Sequence, residues 1–326
     1  MPMDEHLIAW LLEGDPWVQY RAWLDLLGQS ESDPQVQAAR QAMIDHPQVR
    51  RLVTDLADWP GPALKSHKDA KHPLHKLVFA ADLGLRVGDP DLDLVIERTL
   101  DHQSSEGPFT VLSNIPTHFG GSGTDEWHWM LCDAPLIVYA LAAFGLEDDP
   151  RVREAAAYLV GLIRKNGWPC ATSPGVGTFR GPGRKTDPCP YATLIMLRML
   201  AALPGGAFEE EARAGVETLL DLWARRTDTR PYLFGMGTDF SKLKAPLIWY
   251  DVLHVLDVLT RFSWTHEDHR LREMVALVRE KADPDGRFTP ESVWMAWKDW
   301  EFGQKRAPSR WLTLLAQRII ARIGDR

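Results

Sequence analysis

The stretch Pro135-Leu136-Ile137-Val138-Tyr139-Ala140-Leu141-Ala142-Ala143-Phe144, followed by Asp149-Pro150-Arg151-Val152, decides the fold of this chain. The first segment is apolar throughout, as a helix buried on every side should be. The second opens on Asp-Pro, a capping residue and a first-turn proline, and leads into the polar-rich helix Arg153–Lys165. A buried helix followed by an amphipathic one is a helix pair.

Working outward, the same pair recurs. Helix starts fall near Tyr20, His75, Asp133, Tyr191, Asp251 and Ser309, about every 55 to 64 residues. They open the apolar stretches Ala22–Leu27, Leu77–Leu85, Pro135–Phe144, Tyr191–Leu203, Val252–Leu259 and Trp311–Ile320. Between them stand the capping phrases Asp33-Pro34, Asp89-Pro90, Asp149-Pro150 and Asp268-His269-Arg270-Leu271. Arg272–Lys281 is a second polar-rich helix, and Phe208–Arg225 is a third, with Glu209, Glu210 and Glu211 suiting the positive end of its dipole. Extended candidates such as Phe109–Leu112 are short. The expected class is all-α, an (α/α)6 toroid of six helix pairs with an inner and an outer ring, forming one domain over residues 1–326.

No linker or low-complexity tract interrupts the period. There is no run of 18 apolar residues and no basic-then-apolar leader after Met1, so the expectation is a soluble, cytoplasmic protein without an integral membrane segment. Cys132, Cys170 and Cys189 are odd in number and widely spaced, which implies no disulfide framework. A net charge of -8 argues against nucleic acid as partner.

In such a ring the inner helices run parallel, and the loops entering them supply the site. Those loops are rich in basic residues. They carry Lys65, Lys68, Lys71 and Lys76 with His67, His72 and His75, then Arg180, Arg184 and Lys185, Lys242 and Lys244, and Lys305, Arg306 and Arg310. An anionic small-molecule substrate would be drawn to them; the alternative is solvated surface. The chain has 14 Trp. Trp17, Trp127, Trp129, Trp249, Trp300 and Trp311 flank the expected mouth, where indoles stack on sugars or stabilise a carbocation, or else fill gaps between helices. His75, Lys76, Arg184, Lys185, Lys244, Arg306, Arg310, Trp127, Trp129, Trp249 and Tyr250 are therefore the candidate substrate-binding residues.

Asp125, Glu126 and His128 stand together in the loop 117–134 and are candidates for general acid and base. Asp133 follows, either as the acid or as a helix N-cap. Asp187 and Cys189 precede one inner helix; Asp251 and His254 open the next. Carboxylate, thiolate and imidazole all bind Zn²⁺, so these four are either ligands of one zinc or a buried Cys and a capping Asp.

The phrase Asp149-Pro150-Arg151-Val152, then Ala156-Ala157-Tyr158-Leu159, then Asn166-Gly167-Trp168 resembles the repeat of squalene–hopene cyclases and prenyltransferase β-subunits. Weaker copies stand at Asp89 with Glu106-Gly107-Pro108-Phe109 and at Asp268-His269-Arg270-Leu271 with Asp285-Gly286-Arg287-Phe288. The resemblance implies the toroid of terpenoid cyclases and protein prenyltransferases. It also implies a zinc site at Asp187-x-Cys189, with Asp251 nearest the place of the family's distant His. The Asp-x-Asp-Asp acid motif of class II cyclases is absent, and Asp133 falls near its helix start.

Three functions follow. The first is an enzyme acting on an isoprenoid or other apolar substrate with an anionic head. The second is a carbohydrate-active (α/α)6 enzyme with paired carboxylates. The third is a non-catalytic toroid binding a small molecule or an unidentified protein partner.

Overall fold

A computed structural model describes residues 4–176, 184–228 and 236–324. The described chain is mostly helical and its only sheet has two strands. In order, the elements are α1 (Glu5–Leu12), α2 (Pro16–Asp25), α3 (Pro34–Asp45), α4 (Pro47–Leu56), α5 (Pro73–Leu83), α6 (Leu92–Leu100), β1 (Val111–Asn114) and β2 (Asp125–His128). There follow α7 (Ala134–Leu141), α8 (Pro150–Val160), α9 (Pro190–Leu200), α10 (Glu209–Ala224), α11 (Thr238–Ser241), α12 (Val252–Leu259), α13 (His269–Arg279) and α14 (Arg310–Ile323). None of the described helices is long and apolar enough to cross a membrane.

Backbone contacts divide the chain into two compact units. One is Met1–Arg51 with Gly237–Arg326, the other Leu52–Met236. In the second unit α5, α7 and α9 stand in a row, with α8 against α7 and α9, and α10 against α9. Every residue of α7 and of α9 is buried, so their apolar composition reports a position inside the unit. In the first unit α14 lies between α12 and α2, with α1 and α13 packed on it. All of α12 is buried as well.

Local chemistry sets the ends. Asp149 and Asp268 accept from the backbone N–H of Arg151 and Arg270, capping α8 and α13 as their sequence phrases indicate. Val252–Leu259 begins and ends where its apolar run does. Other boundaries move. The first apolar helix starts at Pro16, before Tyr20, because Asp15-Pro16 is its initiating pair. α5 stops at Leu83 because Gly84 takes a left-handed conformation (φ 97°) and turns the chain. The N-cap position of α6 is Asp91 and not Asp89, whose carboxylate accepts from Arg86 N–H. Part of the expected loop 117–134 is a strand. Asp125–His128 pairs antiparallel with Val111–Asn114, Val111 facing His128.

Each row carries a buried ionic group toward its C-terminal end. In the second unit Asp82 accepts from Tyr139 Oη (2.6 Å) and from the wholly buried Arg198, whose guanidinium lies 4.3 Å from the Tyr139 ring centre. In the first, Arg318 bridges Asp25 (3.1 Å) and Asp257 (2.7 Å), and Asp257 also receives Arg261. A guanidinium stripped of water and of its carboxylate is costly, so Asp82→Ala should destabilise the fold by about 3–5 kcal/mol. Urea unfolding measures this; a loss under about 1 kcal/mol would show that Arg198 finds water.

Candidate functional site

The other ends of α5, α7 and α9 concentrate polar chemistry. His67, in the segment leading to α5, places Nδ1 2.8 Å from Asp133 Oδ1. Asp133 occupies the N-cap position of α7, yet its side chain makes no capping hydrogen bond. It is buried, and Oδ2 has no hydrogen-bond partner. An unsatisfied buried carboxylate oxygen costs free energy.

The surrounding histidines are fixed by the backbone. His72 caps α5, Nδ1 accepting from Leu74 N–H while Nε2 donates to the Pro62 carbonyl (2.9 Å). His75 Nε2 donates to the His67 carbonyl (3.0 Å). Burial, with His72 beside it, pushes His75 down to about 4, so it is a neutral positioning group and not a cation for an anionic ligand. His67 differs. Burial disfavours its imidazolium, but the Asp133 carboxylate, by charge and hydrogen bond, together with the Cys189 sulphur, raises it above 6.5.

Cys189 caps α9, its sulphur accepting from Ala192 N–H at 3.5 Å. Thiol donors from Cys132 and Cys170 hold it well below the usual thiol value, against the opposing effect of burial. Asp187 lies on a groove of ≈ 680 Å³ lined also by Arg184, Lys165, Glu217 and Arg225, a mixed-charge surface. Asp251 and His254 belong to the first unit. Asp251 caps α12 through His254 N–H (3.0 Å), and His254 Nδ1 meets the Trp249 carbonyl (2.9 Å). Among the described residues no group of three or more His, Cys, Asp or Glu side chains is arranged to hold a metal ion. The capping roles are the ones seen for Cys189 and Asp251.

Asp251 has a chemistry that sequence reading missed. Burial pushes its carboxyl up to about 6, against the pull of Lys244 and of the His254 and Leu253 N–H groups. Lys244 Nζ stands 3.8 Å away, beyond hydrogen-bond distance, and 5.0 Å from the Trp294 ring centre; Asp251 Oδ2 is buried without a hydrogen-bond partner.

The strand residues are less suited to acid chemistry. Glu126 is exposed. It accepts from Ser122 Oγ (2.9 Å) and Thr124, meets His128 Nε2 (3.1 Å), and is held below the usual carboxyl value chiefly by the Ser122 and His128 hydrogen bonds. Asp125 accepts from Asn114 Nδ2 (2.8 Å). Trp127 stacks on His102 (ring centres 3.7 Å apart), and the buried Trp129 donates to Glu106 (2.6 Å). Tyr250 is buried and meets Phe240 at 5.3 Å between ring centres. Of the basic candidates, Lys76 is paired with Asp55 (2.7 Å), and Arg310 donates to the Trp10 carbonyl and lies over the Trp10 ring. Lys185 and Arg306 are exposed, and Arg184 is too. Arg180 lies outside the described residues.

Comparison with family models and with curated proteins gave no match. Among solved structures, a protein from Actinoplanes is 17% identical with TM-score 0.41, over 94% of this chain and 88% of that one. The apo type II terpene cyclase MstE from Scytonema is 12% identical with TM-score 0.41, over 94% and 87%. Likenesses this distant carry no argument, so the functional reading rests on the side chains.

The His67–Asp133 pair makes a testable pH claim. His67 is raised in the folded state, so the pair stabilises fully below about pH 6.5, and that contribution is lost as pH rises through the folded His67 value. NMR titration should place His67 above 6.5, and Asp133→Asn should bring it down, since burial is then opposed only by the Cys189 sulphur. An unchanged His67 titration in Asp133→Asn would contradict the pairing.

Proposed function

We propose that this chain is an (α/α)6 toroid enzyme of the terpenoid-cyclase and prenyltransferase kind, in which Asp133 transfers a proton to an isoprenoid or similarly apolar substrate. The single observation that carries this is the Asp133 carboxyl. It sits at a helix N-terminus without capping the helix, one oxygen fixed by His67 and the other buried with no hydrogen-bond partner. In this role the proton delivered is the one that the His67–Asp133 pair holds, with His67 Nδ1 hydrogen-bonded to Oδ1. An alkene accepting that proton becomes a carbocation. Such a cation would need apolar walls to keep water from it, and would discharge by losing a proton elsewhere.

The repeating helix period supports the ring, and the complete burial of α7, α9 and α12 supports an inner class of helices. An anionic head group would fall to Arg184 and Lys185, on the segment leading into α9. Lys76 and Arg310 are already engaged. Paired carboxylates, which the carbohydrate reading needs, are not what surrounds Asp133, whose partner is an imidazole. One observation favours a second location for the acid: Asp251, with its carboxyl raised to about 6 and Oδ2 unpartnered, has the proton affinity an acid needs near neutral pH.

The test is a turnover screen with isoprenyl diphosphates and isoprenoid alkenes, followed by amide substitution. Asp133→Asn should lower kcat at least about 100-fold with KM nearly unchanged, as loss of a general acid does. Full activity in Asp133→Asn with loss in Asp251→Asn would move the chemistry to the first unit. Full activity in both would put the acid elsewhere, and no turnover in the screen would leave the non-catalytic binding protein.

A further inference from the structure

Side chains alternate along a strand, so Glu126 and His128 share one face of β2 while Trp127 takes the other, against His102. His128 Nε2 lies 3.1 Å from Glu126 Oε2. A carboxylate only accepts, so Nε2 carries the hydrogen and the neutral ring keeps its lone pair on Nδ1. Glu126 also accepts from the hydroxyls of Ser122 (2.9 Å) and Thr124 (3.3 Å), and the Ser122 and His128 hydrogen bonds keep it ionised. The chain beyond β2 brings a hydroxyl to the free lone pair. Met130 bridges Thr172 in antiparallel fashion, and Ser173 N–H donates to the Trp129 carbonyl (2.9 Å). Thr172 Oγ1 donates to that same carbonyl (3.1 Å), so the segment is held beside the strand residues. Ser173 Oγ then lies 3.4 Å from His128 Nδ1. That is long for a settled hydrogen bond, and it suits a nucleophile and base that close up once substrate is present. His128 is buried, Ser173 half-buried, and Pro174 and Gly175 exposed, which leaves the hydroxyl at the edge of solvent. Met130 and Val176, on either side of this segment, form a small apolar cluster with Ile115, and the partly buried Phe119 packs against it.

We propose that Ser173, His128 and Glu126 form a hydrolytic site for carboxylic esters with a short apolar acyl group. Ser173 is the nucleophile, His128 the general base, and Glu126 the positioning residue that fixes the imidazole tautomer. Ser173 Oγ bonds to the ester carbonyl carbon as its proton passes to His128 Nδ1, and the carbonyl electron pair moves onto oxygen. The imidazolium so formed lies against the Glu126 carboxylate. When the carbonyl re-forms, the bond to the alcohol oxygen breaks and that oxygen takes the proton from Nδ1. The alcohol leaves and the acyl group stays on Ser173. Water then attacks the acyl carbon, giving a proton to Nδ1. Ser173 Oγ recovers that proton as the carboxylic acid departs, so one ester and one water have become one acid and one alcohol. The apolar cluster beside Ser173 suits an apolar acyl chain better than a charged one. The proposal does not depend on the proton-transfer reading of Asp133.

The experiment is treatment of the full chain with a fluorophosphonate, peptide mapping by mass spectrometry, and a parallel assay of p-nitrophenyl butyrate hydrolysis. The expected product is a single adduct on Ser173, with loss of hydrolysis in step with labelling. Ser173→Ala and His128→Ala should each lower kcat/KM at least about 100-fold. Glu126→Gln should lower kcat at least about tenfold with KM nearly unchanged, a split that a loosened strand would not give. Each variant is checked by thermal unfolding, and the wild-type adduct map stands without the variants. No adduct under conditions that fully label a serine esterase, an adduct on Ser122 in place of Ser173, or undiminished hydrolysis in Ser173→Ala would overturn the proposal.

Discussion

Helices buried on every side have only their ends left for polar chemistry. α7, α9 and α12 are such helices, and the constraint propagates through the molecule. Four N–H groups at one end and four carbonyls at the other must be satisfied without a solvated face. At the entering ends this falls to His72, Cys189, Asp251 and Ser309, each accepting from a backbone N–H of the helix it precedes. Toward the leaving ends stand the buried ion pairs of Arg198 with Asp82 and of Arg318 with Asp25 and Asp257. Asp133 is the exception at α7. It stands where a cap should be and bonds sideways to His67, which is why the candidate chemistry gathers there.

Much of the helical architecture was legible because its signals are local. Asp149 and Asp268 cap the helices they introduce, and Val252–Leu259 has both its boundaries written in its apolar run. The strand Asp125–His128 was not legible, since its polar, aromatic text gains order only from pairing with Val111–Asn114. The ionic groups were invisible for a different reason. Arg198 and Asp82 are 116 positions apart, and an arginine within an apolar run does not reveal its partner.

The site was half legible. Asp133, Cys189 and Asp251 were all picked out, because a polar residue directly ahead of an apolar helix is a local signal. Which would cap and which would not is a question of side-chain direction, and three residues with the same sequence context divide differently. Cys189 and Asp251 cap; Asp133 does not. His67 read only as part of a basic loop, and its role depends on a contact 66 positions away. The basic loops looked alike in composition, yet Lys76 and Arg310 are committed to Asp55 and Trp10, while Lys244 is buried beside Asp251 and Trp294.

The direct measurement is a crystal structure of the protein soaked with an isoprenoid ligand, read at the Asp133 carboxyl. The account predicts Oδ1 held by His67 and Oδ2 facing ligand or ordered water, with no backbone N–H of α7 bonded to either oxygen. An Asp133 carboxyl turned back to accept from the first turn of α7, as Asp251 does from His254 in α12, would contradict it.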